Sequence, residues 1–265
     1  MANLTLGLIG VGTVGGALLE YWHRQGLKPY IYDRSKQLGA PAEVNKADIV
    51  FICVPTPSTE SGACNTSLVE IAIHLLASPK IVVIKSTVVP GTTERLQREL
   101  PQHRFLMSPE FLREATALED TLKPERQLVG YTAQSRPLAE EILALLPPAP
   151  YTKVLPVTAV EMIKYFGNTF LAAKVMLANE VYDLCQHLGV DYEAVAEAVA
   201  YDSRIGSSHL KINPATQGYD GKCLPKDVSA LAQLARQLKS GALMIEAVDE
   251  HNQRYLKSRP GIKSE

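Results

Sequence analysis

Residues 6–16 read LGLIGVGTVGG, and this stretch decides the fold of the first half of the chain. An apolar run before the glycines predicts a buried strand, and the pattern after them predicts a helix. Gly10, Gly12 and Gly15 lie between the two with G-x-G-x-x-G spacing. Glycines at these positions permit a tight turn, close approach of the backbone to a pyrophosphate, and close packing of helix on strand. In this strand–turn–helix context the spacing predicts a dinucleotide site.

The second predicted strand ends in YIYDRS, which places Asp33 where a ribose-binding acid belongs. A carboxylate there accepts hydrogen bonds from a ribose 2′-hydroxyl and repels a 2′-phosphate. The residue therefore favours NAD over NADP, although the neighbouring Arg34 weakens that preference. The alternative is that the glycines serve only a turn and that Asp33 is a solvated cap.

Short apolar runs alternate with helical patterns from this site onward, which predicts an α/β fold with a Rossmann-like, doubly wound parallel sheet. The runs IVFICV and KIVVIK are apolar almost throughout, as expected of strands buried on both faces. Residues 34–47 barely fit a crossover helix, which needs roughly a dozen residues. The predicted strands are 4–10, 29–33, 48–54, 80–85, 104–107, 126–131 and a last one near 151–155, and the predicted helices are 13–25, 66–77, 91–100 and 134–146.

After PPAP at 147–150 the chain turns helical, with one long helix predicted over 158–188 and ended by Gly189. Its apolar residues fall on most faces, which indicates burial on several sides and favours a partner subunit. Further helices are predicted at 191–200, 225–239 and 241–256. The expected organisation is a dinucleotide-binding Rossmann domain over 1–157, a central helical domain with a long central helix over 158–256, and a loose tail over 257–265.

Composition excludes several classes of protein. Lys and Arg number 27 against 28 Asp and Glu, so no general field favours nucleic acid or an anionic membrane. No apolar run approaches the ~20 residues that span a bilayer, and the N-terminus lacks the features of a signal peptide. We expect a cytoplasmic protein with reduced thiols. The four cysteines show neither C-x-x-C spacing nor a histidine at zinc-ligand spacing, so no metal site is expected.

Polar residues follow several strands at the edge where ligands bind in open parallel sheets. The candidates are Thr56 in VPTP, Ser86 and Thr87 in KSTVVPGTTE, and Glu110 and Glu114 in SPEFLREA. Simpler readings stay open for each of them. The threonines can be turn residues, Ser86 can be solvated, Glu110 can be a first-turn acid of a helix, and Glu114 a helix-surface charge.

Two candidates lie on the long helix, where Lys164 and Asn168 share one face at i and i+4. A lysine among apolar neighbours is costly without a task or a carboxylate partner. The alternative is that Lys164 pairs with Glu161 or extends its ammonium group to solvent.

The stretch GKCLPKD at 221–227 places a thiol, Cys223, where a helix can begin at Leu224 or Pro225. The helix dipole, Lys222 and Lys226 then lower the pKa of that thiol and favour a nucleophile, with packing as the alternative. No catalytic role is predicted for the other cysteines. Cys53 and Cys185 lie in apolar runs typical of a core, and Cys64 lies in a polar loop.

These motifs together resemble the UDP-glucose/GDP-mannose dehydrogenase family, the nucleotide-sugar 6-dehydrogenases. The resemblance runs over about residues 4–255, through GLIGVGTVG, ADIVFICVPTP, IVVIKSTVVPGTTE, SPEFLREATALED, the long-helix stretch that begins EMIKYFGNTF, DSRIG and GYDGKCLPKDVSAL. It implies NAD-dependent, four-electron oxidation of a sugar's primary alcohol to a uronic acid, through a thiohemiacetal and a thioester on a cysteine. It also implies a homodimer formed through the 158–188 helix. The family's third domain, which binds much of the nucleotide, is expected to be missing, with a separate chain as an alternative source of it.

The same resemblance implies a role for each matching residue. Cys223 is expected to be the nucleophile, Lys164 and Asn168 to stabilise oxyanions, Glu110 to act as acid and base, and Thr87 and Asp227 to hold the water. The expected cofactor-binding residues are Gly10, Gly12, Thr13, Val14, Gly15, Asp33, Arg34, Val54, Pro55, Thr56, Ser86, Thr87, Glu114 and Lys226. The expected substrate-binding residues are Phe111, Leu112, Arg113, Glu114, Lys164, Asn168, Gly218, Tyr219 and Gly221.

The catalytic loop departs from the family at two positions. Asp220 stands where the family typically has glycine, and Lys222 where it has a small residue or histidine. Two alternatives to the four-electron sugar dehydrogenase remain open. One is a two-electron β-hydroxyacid-type dehydrogenase acting on a smaller substrate, and the other is an inactive NAD-binding partner that dimerises.

Overall fold

The structure is a computed structural model, and it describes residues 4–258. The chain divides into two compact units. The sheet unit comprises the chain up to Pro57 together with Asn65–Lys164, and the helical unit comprises Ser58–Cys64 together with the chain from Tyr165 onward. This division rests on contacts, so the assignment of functional domains to 1–157 and 158–256 stays a prediction.

One eight-stranded sheet forms the centre of the sheet unit. Its strands are β1 (Leu6–Ile9), β2 (Tyr30–Asp33), β3 (Leu38–Gly39), β4 (Ile49–Ile52), β5 (Ile81–Ile84), β6 (Arg104–Met107), β7 (Arg126–Tyr131) and β8 (Tyr151–Pro156). They lie in the order β3-β2-β1-β4-β5-β6-β7-β8. Most neighbours are parallel, so the carboxyl ends of β1, β2, β4, β5 and β6 meet at one edge.

The helices of the described residues are α1 (Thr13–Arg24), α2 (Pro41–Val44), α3 (Ser67–His74), α4 (Thr92–Glu99), α5 (Ala117–Leu122), α6 (Ala139–Ala144), α7 (Val157–Leu188), α8 (Tyr192–Ala200), α9 (Leu224–Gln237) and α10 (Leu243–Ser258).

Helices cover both faces of the sheet. On one face α1 and α6 pack around Leu18, Trp22 and Ile142, and on the other α3, α4 and the start of α7 pack around Ile73, Leu96 and Val160. Because both faces are covered, β1 and β4 are buried along their whole length, as predicted.

Two antiparallel pairs, β2–β3 and β6–β7, correct the predicted parallel sheet in detail. The connection from β6 to β7 starts and ends at the same edge of the sheet, so it needs no crossover. The short 34–47 segment folds back as β3 followed by the single turn α2. Gly39 makes this return possible, because it has a φ of 63° and a Cβ there would lie 1.8 Å from the Ile31 carbonyl oxygen.

The helical unit is organised along α7, which begins one residue before its predicted start. The helix ends as predicted at Gly189, whose φ of 67° lets the Val190 N–H donate to the Cys185 carbonyl at 2.9 Å. The unit has two small cores, one around Met176 and Val228 and the other around Cys185 and Tyr192. The predicted loose tail is wrong at 257–258, which belong to α10, and 259–265 lie outside the described residues.

One face of α7 remains uncovered in the described part of the chain. Its large apolar side chains are exposed by 57–75% at Phe166, Phe170, Leu177, Leu184 and Leu188. Their spacings of four and seven residues place them in a single stripe, which we call the α7 stripe. The remaining faces of α7 carry buried residues such as Ala172 and Met176, in agreement with the predicted burial on several sides.

Candidate active site

The glycine loop has the geometry that a pyrophosphate requires. Gly10 has a φ of 92°, and a Cβ there would lie 2.6 Å from the Cys53 carbonyl oxygen. A Cβ on Gly15 would lie 2.0 Å from the Gly10 carbonyl oxygen, so helix and strand pack closely there. Gly12 caps α1, and no atom lies within 4 Å of a Cβ built on it. The N-terminus of α1, which includes Thr13 and Val14, is thus open to an anion.

Asp33 is buried at the end of β2 and organises this loop. Its carboxylate accepts hydrogen bonds from the Val11 N–H at 2.7 Å, the Ser35 hydroxyl at 2.7 Å and the Lys36 N–H at 3.0 Å. Burial raises the pKa of Asp33, but these bonds outweigh burial and the net shift is downward. The solvated cap is therefore wrong, and the carboxylate stands ionised beside the glycine loop. Arg34 next to it is exposed.

Sequence reasoning missed Lys36, whose ammonium group donates to the Val11 carbonyl at 2.6 Å. It lies three residues after Asp33, in the segment whose return along β2 was not predicted. The alternation of strands and helices carries no signal for such a contact.

Hydroxyl groups join the loops that follow β4 and β5. Thr56, which follows Val54 and Pro55, donates to the Thr87 carbonyl at 2.7 Å, and Ser86 donates to the Val54 carbonyl at 2.7 Å. All three hydroxyl residues are buried, so the solvated reading of Ser86 is wrong. The two loops form one continuous floor at the carboxyl edge of the sheet.

Lys85 at the end of β5 extends this floor to β6. Its ammonium group donates to the Ser108 carbonyl at 2.9 Å and is buried. Burial lowers the pKa of Lys85, while nearby Cys53 and Glu110 oppose the shift. Burial likewise raises the pKa of the Cys53 thiol to about 12, with Lys85 opposing it. Cys53 packs against the core of the α1 face, in agreement with the core reading.

Glu110 and Lys164 form a buried ion pair with 2.8 Å between the ammonium nitrogen and a carboxylate oxygen. Their side chains are 12% and 5% exposed, so Lys164 neither reaches solvent nor pairs with Glu161. The second carboxylate oxygen of Glu110 accepts from the Leu112 N–H at 2.9 Å. Residues 108–113 lie outside any helix, so the first-turn reading of Glu110 is also wrong.

The segment after Glu110 carries four of the expected substrate residues, Phe111, Leu112, Arg113 and Glu114. The Phe111 ring lies 4.1 Å from the Arg126 guanidinium carbon and 5.8 Å from the Lys164 ammonium nitrogen. Arg113 donates hydrogen bonds to the Asp120 carboxylate, from its backbone N–H at 2.8 Å and from its guanidinium at 2.6 Å. Glu114 is exposed and begins a single 3₁₀ turn rather than an α-helix.

Glu161, which precedes Lys164 by one turn, is fully buried and has a different partner. Its carboxylate accepts from the Gly91 N–H at 2.7 Å, the Thr93 N–H at 2.9 Å and the Thr93 hydroxyl at 2.6 Å. It thereby caps the N-terminus of α4 from α7. Burial raises the pKa of Glu161 to about 7, although the hydrogen bonds oppose the shift. The sequence shows an acidic residue within an apolar helical pattern at Glu161, but it does not indicate that Gly91 and Thr93 are the partners of that residue.

In the helical unit, Cys223 is the N-cap residue of α9 and is exposed. Of the two predicted helix starts, Leu224 and Pro225, the helix begins at Leu224, with Pro225 in the first turn. Asp227 is almost completely buried and accepts from the Asn168 amide at 2.5 Å and from the Lys226 ammonium group. The segment before the thiol turns through Gly218 and Gly221, with φ of 82° and 83°.

The structure therefore assembles the expected residues into a set within each unit. The sheet unit joins the strand-end residues through shared hydrogen bonds and pairs Glu110 with Lys164. The helical unit joins Asn168, Lys226 and Asp227 beside the start of α9. Among the described residues, no three His, Cys, Asp or Glu side chains cluster as metal ligands, and no helix is long and apolar enough to span a bilayer.

Comparison with known proteins matches both parts of the chain to one family. Residues 23–145 match the NAD-binding domain of the UDP-glucose/GDP-mannose dehydrogenase family, and residues 158–254 match its central domain. The chain belongs to this family. Its cofactor is NAD, which the glycine loop and the ionised Asp33 fit. The predicted family resemblance and fold class are confirmed.

Relatives in this family share the sequence and the fold. UDP-glucose 6-dehydrogenase TuaD of Bacillus subtilis is 35% identical over 225 residues, which cover 81% of this chain and 48% of the relative. The UDP-glucose dehydrogenase structure from Pyrobaculum islandicum aligns with a TM-score of 0.77 and 31% identity, over 95% of this chain and 68% of that one. A UDP-D-ManNAc dehydrogenase from Pyrococcus horikoshii shares the fold at 21% identity, with a TM-score of 0.83 over 95% of this chain and 69% of that one. The chain spans about half the length of the curated relatives it matches.

Proposed function

We propose that this chain acts in the NAD-dependent oxidation of a nucleotide sugar's primary alcohol to a carboxylate, as a UDP-glucose 6-dehydrogenase-like oxidoreductase. The observation that carries the proposal is the position of Cys223, an exposed thiol at the N-terminus of α9. A helix N-terminus stabilises a thiolate, and a two-electron alcohol dehydrogenase needs no such nucleophile. The relatives named as UDP-glucose 6-dehydrogenases support the substrate class.

The proposed chemistry consumes one alcohol and one water and releases a carboxylate and three protons. Bound NAD⁺ supplies the hydride acceptor, and two molecules of it take up the four electrons. The Cys223 sulfur adds to the aldehyde carbon, and the carbonyl electrons move to oxygen. After the second oxidation the group is a thioester, in which water attacks the acyl carbon and the carbon–sulfur bond breaks to restore the thiolate.

The remaining roles are those that the family resemblance implies, and the charges and donors of each residue are compatible with them. Lys164 and Asn168 supply an ammonium group and an amide for developing oxyanions. Glu110, which pairs with Lys164, is the proposed acid and base. Asp227 and Thr87 hold the hydrolytic water, and Lys226 and Glu114 contribute to binding.

The cofactor roles follow the floor at the carboxyl edge of the sheet. The glycine loop and the start of α1 hold the pyrophosphate, and Asp33 holds the adenosine ribose. Val54, Pro55, Thr56 and Ser86 form the loops beside the cofactor, held together by the bonds described above.

We also propose that the chain forms a homodimer through α7. Its stripe exposes several large apolar side chains on one helix face, and such a face is stabilised when a second copy covers it.

Counting NADH per molecule of sugar tests the function. The chain is supplied with NAD⁺ and a panel of UDP- and GDP-sugars, and Cys223→Ser is compared with Cys64→Ser as a matched cysteine control. Two NADH per sugar acid, lost in Cys223→Ser and retained in Cys64→Ser, is the expected result.

Other outcomes separate the alternatives. One NADH per substrate with no effect of Cys223→Ser would support a two-electron dehydrogenase. NAD binding without NADH from any sugar would support an inactive dimerising partner.

A further inference from the structure

Residues Gln217–Tyr219, which end one residue before GKCLPKD, are held by side chains of two helices. Asn179 of α7 and Asn252 of α10 are each 1% exposed. A buried carboxamide is costly unless its donors and acceptors are bonded. The hydrogen-bond partners of these two amides therefore indicate the role of Asn179 and Asn252.

Asn252 holds the backbone of Tyr219 at both of its polar groups. Its Oδ1 accepts from the Tyr219 N–H at 2.8 Å, and its Nδ2 donates to the Tyr219 carbonyl at 3.0 Å. Oδ1 of Asn179 accepts from the neighbouring Gly218 N–H at 3.0 Å. Two successive loop residues are thus fixed from two helices, in the way that a strand fixes its neighbour.

Close approach at this point depends on Gly218. A Cβ there would lie 2.7 Å from Oδ1 of Asn252 and 3.0 Å from the Cβ of Tyr255. Asp183 completes the arrangement, because its two carboxylate oxygens accept from the Gln217 amide and the Tyr255 hydroxyl, each at 2.6 Å. The loop residue before Gly218 is therefore bonded to α7, and the same carboxylate links α7 to α10.

A second anchor lies just after the thiol, where buried Asp227 accepts from Asn168 of α7 at 2.5 Å. Between the two anchors, only residues 220–226 separate Tyr219 from Asp227. Cys223 is the middle residue of that segment. The position of its thiol at the start of α9 is set from both sides.

We infer that Asn252 and Asn179 are positioning residues that hold Cys223 at the N-terminus of α9. The inference rests on the proposed role of Cys223 as nucleophile and adds the residues through which the fold fixes it. Loss of the upstream anchor lets the segment 220–222 shift, and the thiol is then held less closely at the N-terminus of α9, where the helix dipole favours a thiolate.

Alkylation of Cys223 by iodoacetamide tests the inference without NAD or sugar. Its rate is followed from pH 5 to 10 by mass spectrometry of the peptide that contains Cys223, in the wild-type chain and in Asn252→Ala. We expect the midpoint of the rate profile to rise in Asn252→Ala, and the rate at pH 7 to fall by about two- to fivefold, since helix-terminus effects are of that size. A chain that turns over no sugar still gives this readout, so failure of the proposed activity and failure of this inference are distinguishable.

Asn45→Ala is the matched control for simple destabilisation. The Asn45 side-chain amide is also hydrogen-bonded to backbone, but in the sheet unit. It donates to the Pro41 and Leu75 carbonyls and accepts from the Ala77 N–H, at 2.7–2.9 Å. We expect Asn45→Ala to lower the unfolding midpoint and leave the Cys223 profile unchanged.

A second variant keeps the test decisive if Asn252→Ala does not fold. Asn179→Ala removes the acceptor for the Gly218 N–H, together with the bond from Nδ2 to the Val175 carbonyl within α7, and leaves the Asn252 bonds to Tyr219 in place. It should move the profile in the same direction by less. Profiles that coincide with wild type, or a midpoint that falls, would overturn the inference.

Discussion

Lys164 and Glu110 illustrate how much one buried charge depends on its partner. Replacement of Lys164 by Met leaves the Glu110 carboxylate at 12% exposure without its ammonium partner. Breaking one side of a buried pair typically costs about 3–5 kcal/mol. We expect Lys164→Met to lower the free energy of unfolding in urea by that order at pH 7.5, and Lys164→Met/Glu110→Gln to recover part of the loss.

The exposed pair of Arg24 and Glu20, at 52% and 44% exposure, serves as the control. Arg24→Met should change the free energy of unfolding by less than ~1 kcal/mol, because exposed pairs contribute little. A loss for Lys164→Met no larger than that for Arg24→Met would contradict a stabilising role of the buried pair.

Glu161 makes stability depend on pH in an unusual direction for a carboxylate. Burial raises its pKa in the folded chain to about 7, above the ordinary value of 4.5. The folded state therefore holds the proton more tightly, so the contribution is fully present below about pH 4.5 and is lost as pH rises through about 7. Between pH 5 and 8, wild type should lose about 2–3 kcal/mol relative to Glu161→Gln, which cannot ionise.

Urea unfolding of both chains at several pH values measures this difference. The difference between the two chains cancels the titration of groups that do not interact with Glu161. Glu94 raises the pKa of Glu161, so its effect is part of the measured difference. A constant difference across the range would show that Glu161 does not titrate there.

The partners of Lys164 and Glu161 could not be predicted from the sequence. Helical spacing put Lys164 on an apolar face and required a carboxylate, and Glu161 at i−3 was one candidate. In the structure the partner of Lys164 is Glu110, which lies 54 residues earlier in the loop after β6. Glu161 instead accepts hydrogen bonds at the N-terminus of α4. Period and spacing describe one helix, whereas the choice of partner depends on which loop packs against it.

At the scale of elements, Gly189 ends α7 through its left-handed backbone. We expect Gly189→Ala to lower the free energy of unfolding by about 1 kcal/mol, because a Cβ is strained at a φ of 67°. Gly189→Asn should lower it by less, since asparagine tolerates this conformation. Thermal or urea unfolding of the two variants measures the order, and an equal or smaller loss for alanine would contradict it.

The long, strongly patterned elements were predictable and the short ones were not. Strands β1, β4 and β5 and helices α1, α7 and α9 carry apolar runs or amphipathic patterns that span most of their length. By contrast, β3 has two residues and α2 four, too few for a period to show. The direction of β7 was also beyond reach, because a strand's own pattern is the same whether its neighbour is parallel or antiparallel.

At the scale of the whole molecule, the α7 stripe leads to a prediction about association. In sedimentation the wild-type chain should form dimers, and Leu177→Glu should shift it toward monomers by placing a charge in the stripe. Leu238→Glu is the matched control, because Leu238 is 68% exposed at the C-terminal end of α9, outside the stripe, against 64% for Leu177. Dimers that persist in Leu177→Glu, or dissociate equally in Leu238→Glu, would exclude this face.

The two rims of the eight-stranded sheet bear on how copies of the chain avoid the wrong kind of association. One rim, β3, is two residues long and bends through Gly39. The other, β8, exposes Tyr151–Lys153 and finishes at Pro156, which has no N–H to offer. A foreign strand that tried to add to the sheet would find only two consecutive residues at β3, and at β8 it would meet an exposed lysine and no backbone donor at Pro156. Short length at one rim, and a charge and a proline at the other, are features that disfavour edge-to-edge pairing between copies of the chain.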